Sequence, residues 1–222
     1  VVDLIESMDS YIGALRIQAN AARTARTSLR EDLLQPDSRW PMANFGEVLS
    51  IDRGSSPRPI SDFVTDDGSG EHWIRIGDAD TASKYITDTA DKITLEGFST
   101  PRLVNPGDFI LSNSMSYGRP FIVQIRGCIH DGWLRLGGVA ETFDEDYLYN
   151  LLQSHRLQQR FQSLAAGSGV RNLKIDSVRS IEIAIPPLSH QQSVSQTLNS
   201  VDATITALVE AKNQATALRS SL

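Results

Sequence analysis

The feature that most constrains this chain is a helical segment that occurs twice, once near each end of its 222 residues. The segment DSYIGAL at 9–15 aligns with DATITAL at 202–208, and the offset of 193 residues continues without a gap, so that Arg26 meets Arg219. Two copies of one helix therefore bracket a single globular module. This pattern indicates a repeat whose unit is a helix plus a domain.

Both copies are predicted to be long helices with a coiled-coil seam. Their apolar residues recur at alternating intervals of three and four, and each helix of about 30 residues would be about 45 Å long. We expect the first helix over 1–35 and the second over 190–222, with Ser189 and Gln192 as a capping box. The seam residues are Ile5, Met8, Ile12, Leu15, Ala19, Ala22 and Leu29 in the first copy, and Leu198, Val201, Ile205, Leu208 and Ala215 in the second. Each copy is expected to pack antiparallel on the other or on a second chain; the alternative is an amphipathic helix lying on the domain's own core.

Residues 36–189 are predicted to form one mixed α/β domain, which makes the whole chain an α+β protein with two flanking long helices. Pro36 ends the first helix because proline cannot continue it. Turn signals separate short apolar runs, and one amphipathic helix is predicted at 144–164. The predicted strands lie at 48–51, 73–76, 109–112, 121–125, 133–136 and 181–185.

Composition limits the possible partners and compartment. A single cysteine, Cys128, excludes a disulfide framework and fits a reducing compartment. The sequence has no apolar run of about 18 residues, so no membrane partner is expected. The net charge is -6, and residues 36–189 hold 15 Lys and Arg against 20 Asp and Glu. Any nucleic-acid contact must therefore depend on local basic clusters and not on the field of the whole domain.

Short motifs along the module follow the order and spacing of a known family. Each motif alone is weak, but together they cover essentially the whole chain. They are Trp40-Pro41, Phe45-Gly46-Glu47-Val48, Gly54-Ser55-Ser56-Pro57, Trp73-Ile74-Arg75-Ile76-Gly77-Asp78, Pro106-Gly107-Asp108-Phe109-Ile110-Leu111-Ser112, Gly167-Ser168-Gly169-Val170-Arg171-Asn172-Leu173, and the exit Ile185-Pro186-Pro187-Leu188 with Gln191-Gln192. On these residues the chain resembles the specificity subunit of type I restriction–modification systems.

The resemblance implies a target recognition domain that reads one half of a bipartite site in double-stranded DNA. It also implies that the two long helices are spacers that set the gap between half-sites. The expected partners are modification methyltransferase subunits, with the restriction/translocase subunit contacted indirectly, in the cytoplasm of a prokaryote. With one recognition domain, the chain is expected to be either the distal half of a longer subunit or a half-subunit that forms a homodimer.

Three loops and one strand edge carry side chains that could contact DNA. Arginine can bond guanine through two hydrogen bonds, asparagine can read adenine, and hydroxyl groups, lysine and glycine-rich backbone suit phosphates. The candidates are Arg53, Ser55, Ser56 and Arg58; Asn113, Ser114, Ser116, Tyr117 and Arg119; Ser168, Arg171, Asn172 and Lys174; and the weaker pair Lys84 and Tyr85. For each group the alternative is a solvated turn, hairpin or strand edge. His130 and Asp131 are predicted to be a structural pair.

The sequence gives no catalytic motif. There is no Walker-type phosphate loop, and the four His and one Cys lack close metal-ligand spacing. Asn105-Pro106-Gly107 differs from the Asn-Pro-Pro-aromatic motif of amino-methyltransferases. We therefore expect a non-catalytic subunit without its own cofactor, with S-adenosylmethionine and ATP used by partner subunits. The competing hypothesis is a protein-interaction module on a coiled-coil arm, which the acidic balance favours.

Overall fold

The structure is a computed structural model that describes residues 2–66, 68–114, 117–166 and 172–221. The chain forms two compact units. The helical unit consists of Val1–Gln35 and Ser189–Leu222, and the sheet unit consists of Pro36–Leu188. The helices are α1 (Val2–Leu33), α2 (Phe45–Val48), α3 (Val139–Thr142), α4 (Glu145–Leu152), α5 (His155–Ala166), α6 (Ile175–Arg179) and α7 (Leu188–Ser220).

In the helical unit, α1 and α7 run antiparallel. Arg26 of α1 pairs with Asp202 of α7, and Asp9 of α1 pairs with Arg219 of α7. The twelve predicted seam residues are all buried or half-buried, whereas Leu4, Tyr11, Ile17 and Leu218 are exposed. The apolar stripe of each helix is therefore covered, as the heptad pattern requires.

The sheet unit is built from short strands. In chain order they are β1 (Met42–Asn44), β2 (Ser50–Arg53), β3 (Val64–Thr65), β4 (Glu71–Ile74), β5 (Tyr85–Ile86), β6 (Asp91–Ile93), β7 (Leu103–Val104), β8 (Phe109–Ser112), β9 (Pro120–Val123), β10 (Gly127–Ile129), β11 (Trp133–Gly137) and β12 (Glu182–Ala184). One five-stranded sheet has the order β3-β6-β4-β10-β7, and the other has the order β2-β11-β8-β9-β5. The strands β1 and β12 form a separate antiparallel pair.

The main hydrophobic core lies between the two five-stranded sheets. Ile74, Val104 and Ile129 of the first sheet pack with Ile110 and Trp133 of the second. A smaller cluster of Trp73, Ile93, Phe98 and Cys128 covers the opposite face of the first sheet. The alternation of Trp73 and Ile74 follows the two-residue period of a strand, so each side chain enters a different cluster.

The structure confirms the α+β class with two long flanking helices, but it corrects several boundaries. The helix predicted at 144–164 is two helices, α4 and α5, that are separated at Gln153 and Ser154. The Ser154 hydroxyl accepts a hydrogen bond from Leu157 N at 3.4 Å, and Gln158 Nε2 donates to Leu152 O at 2.7 Å. Side-chain hydrogen bonds thus satisfy the backbone groups that a helix end exposes. α7 begins at Leu188, so Ser189 lies in its first turn and not before it.

Candidate DNA-recognition surface

The strand topology brings several loops to one end of the two sheets. β2 and β8 both pair antiparallel with β11, and the last residue of each, Arg53 and Ser112, lies beside the start of β11. β4 pairs parallel with β10, so Ile74 and Ile129 end at the same level. The segment after β10 is the three-residue turn that leads into β11. The loops after β2, β4 and β8 therefore meet around this turn.

The turn His130-Asp131-Gly132, called the Asp131 turn below, is the point where these loops are tied together. Arg53 Nε donates to Asp131 O at 2.9 Å, and Asn113 Nδ2 donates to the same oxygen at 2.9 Å. Ser56 Oγ bonds Asp131 Oδ1 at 3.0 Å. The first and second predicted clusters, which are about 60 positions apart in the sequence, thus share one acceptor residue.

The neutral imidazole of His130 contacts both of the residues that follow it in the Asp131 turn. Gly132 N donates to His130 Nδ1 at 2.9 Å, which leaves Nε2 to carry the proton and to meet Asp131 Oδ1, also at 2.9 Å. Burial lowers the pKa of His130; Asp131 opposes this shift, and Arg53 and Arg75 reinforce it. The predicted structural pair is therefore present as a close contact between a neutral imidazole and a carboxylate.

Asn113 lies beneath the surface and links the second loop to the third. The residue is 1% exposed, its backbone N donates to Gly132 O at 2.9 Å, and its backbone O accepts from Leu173 N at 2.9 Å. We predicted Asn113 as a base-reading residue; its burial instead makes it a structural link between loops. Of the other predicted residues, Ser116, Ser168 and Arg171 lie outside the described residues, whereas Ser114 and Asn172 are half-buried.

Arg58, in the first loop, lies beside a cleft. Arg58 is exposed and lines a cleft of about 260 Å³ together with Ser56, Trp73, Arg75 and His130. Ser55 is fixed from behind, since its backbone N donates to Ile129 O at 3.1 Å and its hydroxyl bonds Thr100 O. Gly54 approaches the Asp131 turn so closely that an added Cβ would lie 2.1 Å from His130 O. The backbone of this loop is therefore fixed, and Arg58 projects from it.

The second loop ends in a backbone conformation that only glycine adopts easily. Gly118 has φ +75°, and a Cβ there would lie 2.2 Å from the Phe161 ring of α5. Arg119 donates to Thr81 O at 2.8 Å and lies 5.5 Å from the Phe121 ring centroid. Tyr117 is half-buried. α5 therefore supports this loop directly.

The weakest predicted candidates, Lys84 and Tyr85, are engaged within the sheet unit. Lys84 Nζ pairs with Asp146 at 2.5 Å and lies 4.9 Å from the Tyr85 ring centroid. Burial lowers the pKa of Lys84, but the hydrogen bonds to Asp146 and Tyr85 outweigh it and leave the pKa raised. The cation is thus already neutralised by a carboxylate, and a DNA contact through it stays a prediction.

Comparison with known families decides what kind of domain this is. The model of the type I restriction modification DNA specificity domain matches residues 38–217, which is most of the chain. The chain belongs to this family. It is a family of DNA specificity domains.

Solved structures share the fold of this specificity domain. The HsdS subunit from Thermoanaerobacter tengcongensis matches with a TM-score of 0.73 and 18% identity over 99% of this chain and 54% of that chain. A chain from a study of complex assembly and conformational transition in a type I R-M system matches with a TM-score of 0.69 and 19% identity, over 99% and 56%. The type I S subunit from M. genitalium gives a TM-score of 0.62 and 14% identity, over 99% and 57%. The specificity domain described here therefore spans about half the length of these relatives.

Ion pairing separates the cations of this specificity domain into two groups. Most of them face carboxylates, as in Arg75–Asp91 at 2.8 Å. Among the described residues of the sheet unit, the cations that form neither an ion pair nor a side-chain hydrogen bond are Arg58, Arg156, Arg160 and Lys174. All four are exposed. Unpaired, exposed cations keep their full charge for an anionic partner.

Arg156 and Arg160 were not among the predicted contacts. They are one turn apart on α5, where they line a groove of about 490 Å³ with Ser163, Ser180 and Glu182. The signal was present in the sequence, because 155–166 contains two arginines and no acidic residue in an otherwise acidic domain. The apolar positions of this segment predict only its buried face, whereas the two arginines lie on its exposed face.

Two other kinds of site are absent from the part of the chain that the structure describes. No group of three or more His, Cys, Asp or Glu side chains is arranged to hold a metal ion there. None of the helices in those ranges combines the length and apolar character needed to cross a bilayer.

Proposed function

We propose that the sheet unit reads one half of a bipartite target in double-stranded DNA through the loops tied to the Asp131 turn. The observation that carries this proposal is the convergence of the three predicted loops: Arg53, Ser56 and Asn113 bond Asp131, and Leu173 bonds Asn113. A loop surface held by the ends of several strands keeps its side chains in fixed positions, which base readout requires.

Within this surface the residues divide into supports and readers. Asn113 and Arg53 hold the loops through hydrogen bonds to Asp131 O, so they act as supports. Arg58 and Lys174 are exposed and unpaired, so they are the side chains available to DNA. Arginine can read guanine through two hydrogen bonds, whereas lysine at a loop end suits a phosphate.

The helical unit is proposed to act as the spacer between this recognition domain and a second one. The second domain would come from another part of a longer subunit or from a second copy of this chain. Methyltransferase subunits would dock on the assembled pair and supply S-adenosylmethionine, and the restriction/translocase subunit would use ATP. Two-fold pairing of identical chains would read a symmetric bipartite site.

The test is selection of bound duplexes from a random pool by the full chain, followed by titration at several salt concentrations. We expect enrichment of one short motif and an affinity that falls as salt rises, by roughly 0.9 logarithmic units per logarithmic unit of salt for each phosphate contact. Selection should be repeated with the methyltransferase subunit present. If no duplex is enriched under either condition, the alternative of a protein-interaction module replaces this proposal.

A further inference from the structure

The two ion pairs of the helical unit are copies of each other. Arg26 meets Asp202 with Nε–Oδ1 at 3.0 Å and Nη2–Oδ2 at 2.9 Å. Arg219 meets Asp9 with the same two atom pairs at 2.8 and 3.1 Å. Asp202 is the repeat equivalent of Asp9, and Arg219 is the repeat equivalent of Arg26. Each contact is therefore an arginine–aspartate pair with two hydrogen bonds. In one pair α1 supplies the arginine, and in the other α7 supplies it.

This arrangement makes the repeated helix complementary to itself. Each copy carries an aspartate followed 17 residues later by an arginine. When two such helices run antiparallel, the acid of each meets the base of the other, and both pairs form at once. The Arg26 side chain is only 16% exposed, so a helix without an acid at the matching position would remove the two hydrogen bonds to a carboxylate from a largely covered cation.

The apolar seam cannot select this register by itself. A seam that repeats every seven residues gives similar packing when one helix slides by about 10.5 Å along the other. After such a slide Arg26 would face Ser195 or Val209. Asp9 could then meet Lys212, so the best slipped register keeps one weaker pair in place of two arginine–aspartate pairs.

We propose that Asp9, Arg26, Asp202 and Arg219 form a register lock, which accepts only another copy of the same helix, from this chain or a second copy of it, in one axial position. Surface ion pairs add little to stability, so the role of the lock is selection, like that of the charges flanking coiled-coil seams. Its occupant is fixed by charge complementarity: an antiparallel helix with an aspartate and an arginine 17 residues apart.

Charge reversal in one copy tests the lock in the full chain. Asp9→Arg with Arg26→Asp places like charges at both contacts within one chain. The reversed α1 remains complementary to α1 of a second chain, and α7 remains complementary to α7. We expect this variant to exchange helices and at least double its mass by light scattering. Reversing all four residues restores both pairs within a chain and should return the parent's mass.

Distances between spin labels on the two helices give a second readout. Ala25→Cys and Ala203→Cys place labels at exposed positions beside Arg26 and Asp202, at the same level of the helix pair, whereas the natural Cys128 is buried and its pKa is raised to about 11. The neutral variant Arg26→Gln with Arg219→Gln removes both pairs without repulsion. We expect a second, longer distance population, because a slide of one heptad offsets the two labels by about 10.5 Å along the helix axis, perpendicular to their original separation.

These experiments test the lock independently of DNA recognition, because the mass and the label distance are both measured without DNA. An unchanged mass for the one-copy reversal overturns the lock, and so does a single unchanged distance for the neutral variant. If the one-copy reversal unfolds, the neutral variant and the variant with all four residues reversed still test the lock, since neither introduces repulsion. A lock that holds while duplex selection fails would leave the helical unit assigned and the proposed DNA contact rejected.

Discussion

Arg58 gives the sharpest test of the recognition surface, because its side chain has no structural task. It is exposed, lies at the mouth of a cleft of about 260 Å³, and among the described residues it forms no ion pair or side-chain hydrogen bond. Arg58→Ala should therefore change the free energy of unfolding by no more than about 0.5 kcal/mol. If Arg58 bonds a guanine, binding of the selected duplex should weaken by roughly 1–3 kcal/mol, which is a factor of about 5 to 150.

Arg53→Ala separates a support from a reader. Arg53 Nε donates to Asp131 O at 2.9 Å, and its guanidinium lies 4.0 Å from the Asp131 carboxylate. Removing that hydrogen bond should cost about 1 kcal/mol of stability, since this is a typical net value for one bond. DNA affinity should fall as well, because the turn that holds the loops loosens. A lower melting temperature together with weaker binding therefore identifies a support.

Arg126→Ala is the charge-matched control. Arg126 precedes β10 and pairs with Glu71 at 2.9 Å, at the end of the first sheet opposite to the Asp131 turn. All three variants lose one positive charge, so a purely long-range effect would weaken binding equally. Fluorescence anisotropy with the selected and a scrambled duplex at several salt concentrations measures the difference. Equal losses for Arg58→Ala and Arg126→Ala, or no loss for either, would refute the assignment of Arg58 as a reader.

Four further predictions concern the same domain. Gly54→Ala should destabilise it by roughly 1–3 kcal/mol or more, because the new Cβ would lie 2.1 Å from His130 O; urea titration measures this. The pKa of His130 is lowered from 6.5 in the folded state, so the free energy of unfolding should fall as the pH decreases through 6.5. In His130→Gln the melting temperature should depend less on pH over this range. Burial raises the pKa of Cys128 to about 11, so alkylation at pH 8 should require unfolding. Arg156→Gln with Arg160→Gln should leave sequence preference intact and, if either contacts phosphate, reduce the salt slope by about 1 per lost contact.

The elements that the sequence predicted well are those with long or repeated patterns. α1 and α7 follow from the heptads and the 193-residue repeat, and β8 coincides with the apolar run at 109–112. Strands of two or three residues, such as β3 and β5, were missed because so short a segment shows no period. The break between α4 and α5 was missed because the apolar positions on both sides keep one helical face across Ser154.

The candidate surface was predicted in outline but not in its internal roles. Composition identified the loops, since arginines, hydroxyls and glycines cluster there. It could not show that Asn113 is buried, nor that Asp131 is the shared acceptor, because both facts depend on which strands are neighbours. Antiparallel pairing of β2 and β8 with β11 is a long-range property that no local pattern contains.

The acidic composition is compatible with a DNA-binding role once the ion pairs are taken into account. A carboxylate within an ion pair cancels a cation locally, so the charge that an approaching phosphate meets depends on the unpaired groups nearest to it. Arg53 is partly neutralised by Asp131, whereas Arg58, a few residues further along the same loop, is not. Asp131→Asn would free Arg53 from its carboxylate and add one positive charge to the surface. If electrostatics dominate, this variant should bind both non-specific and selected duplex more tightly, while the loops stay held, because Arg53 and Asn113 bond the backbone oxygen of residue 131 and an asparagine Oδ1 can still accept from Ser56. Unchanged affinity for both duplexes would show that the charge of the Asp131 carboxylate does not act on the phosphates, whereas tighter binding of both would show that it does.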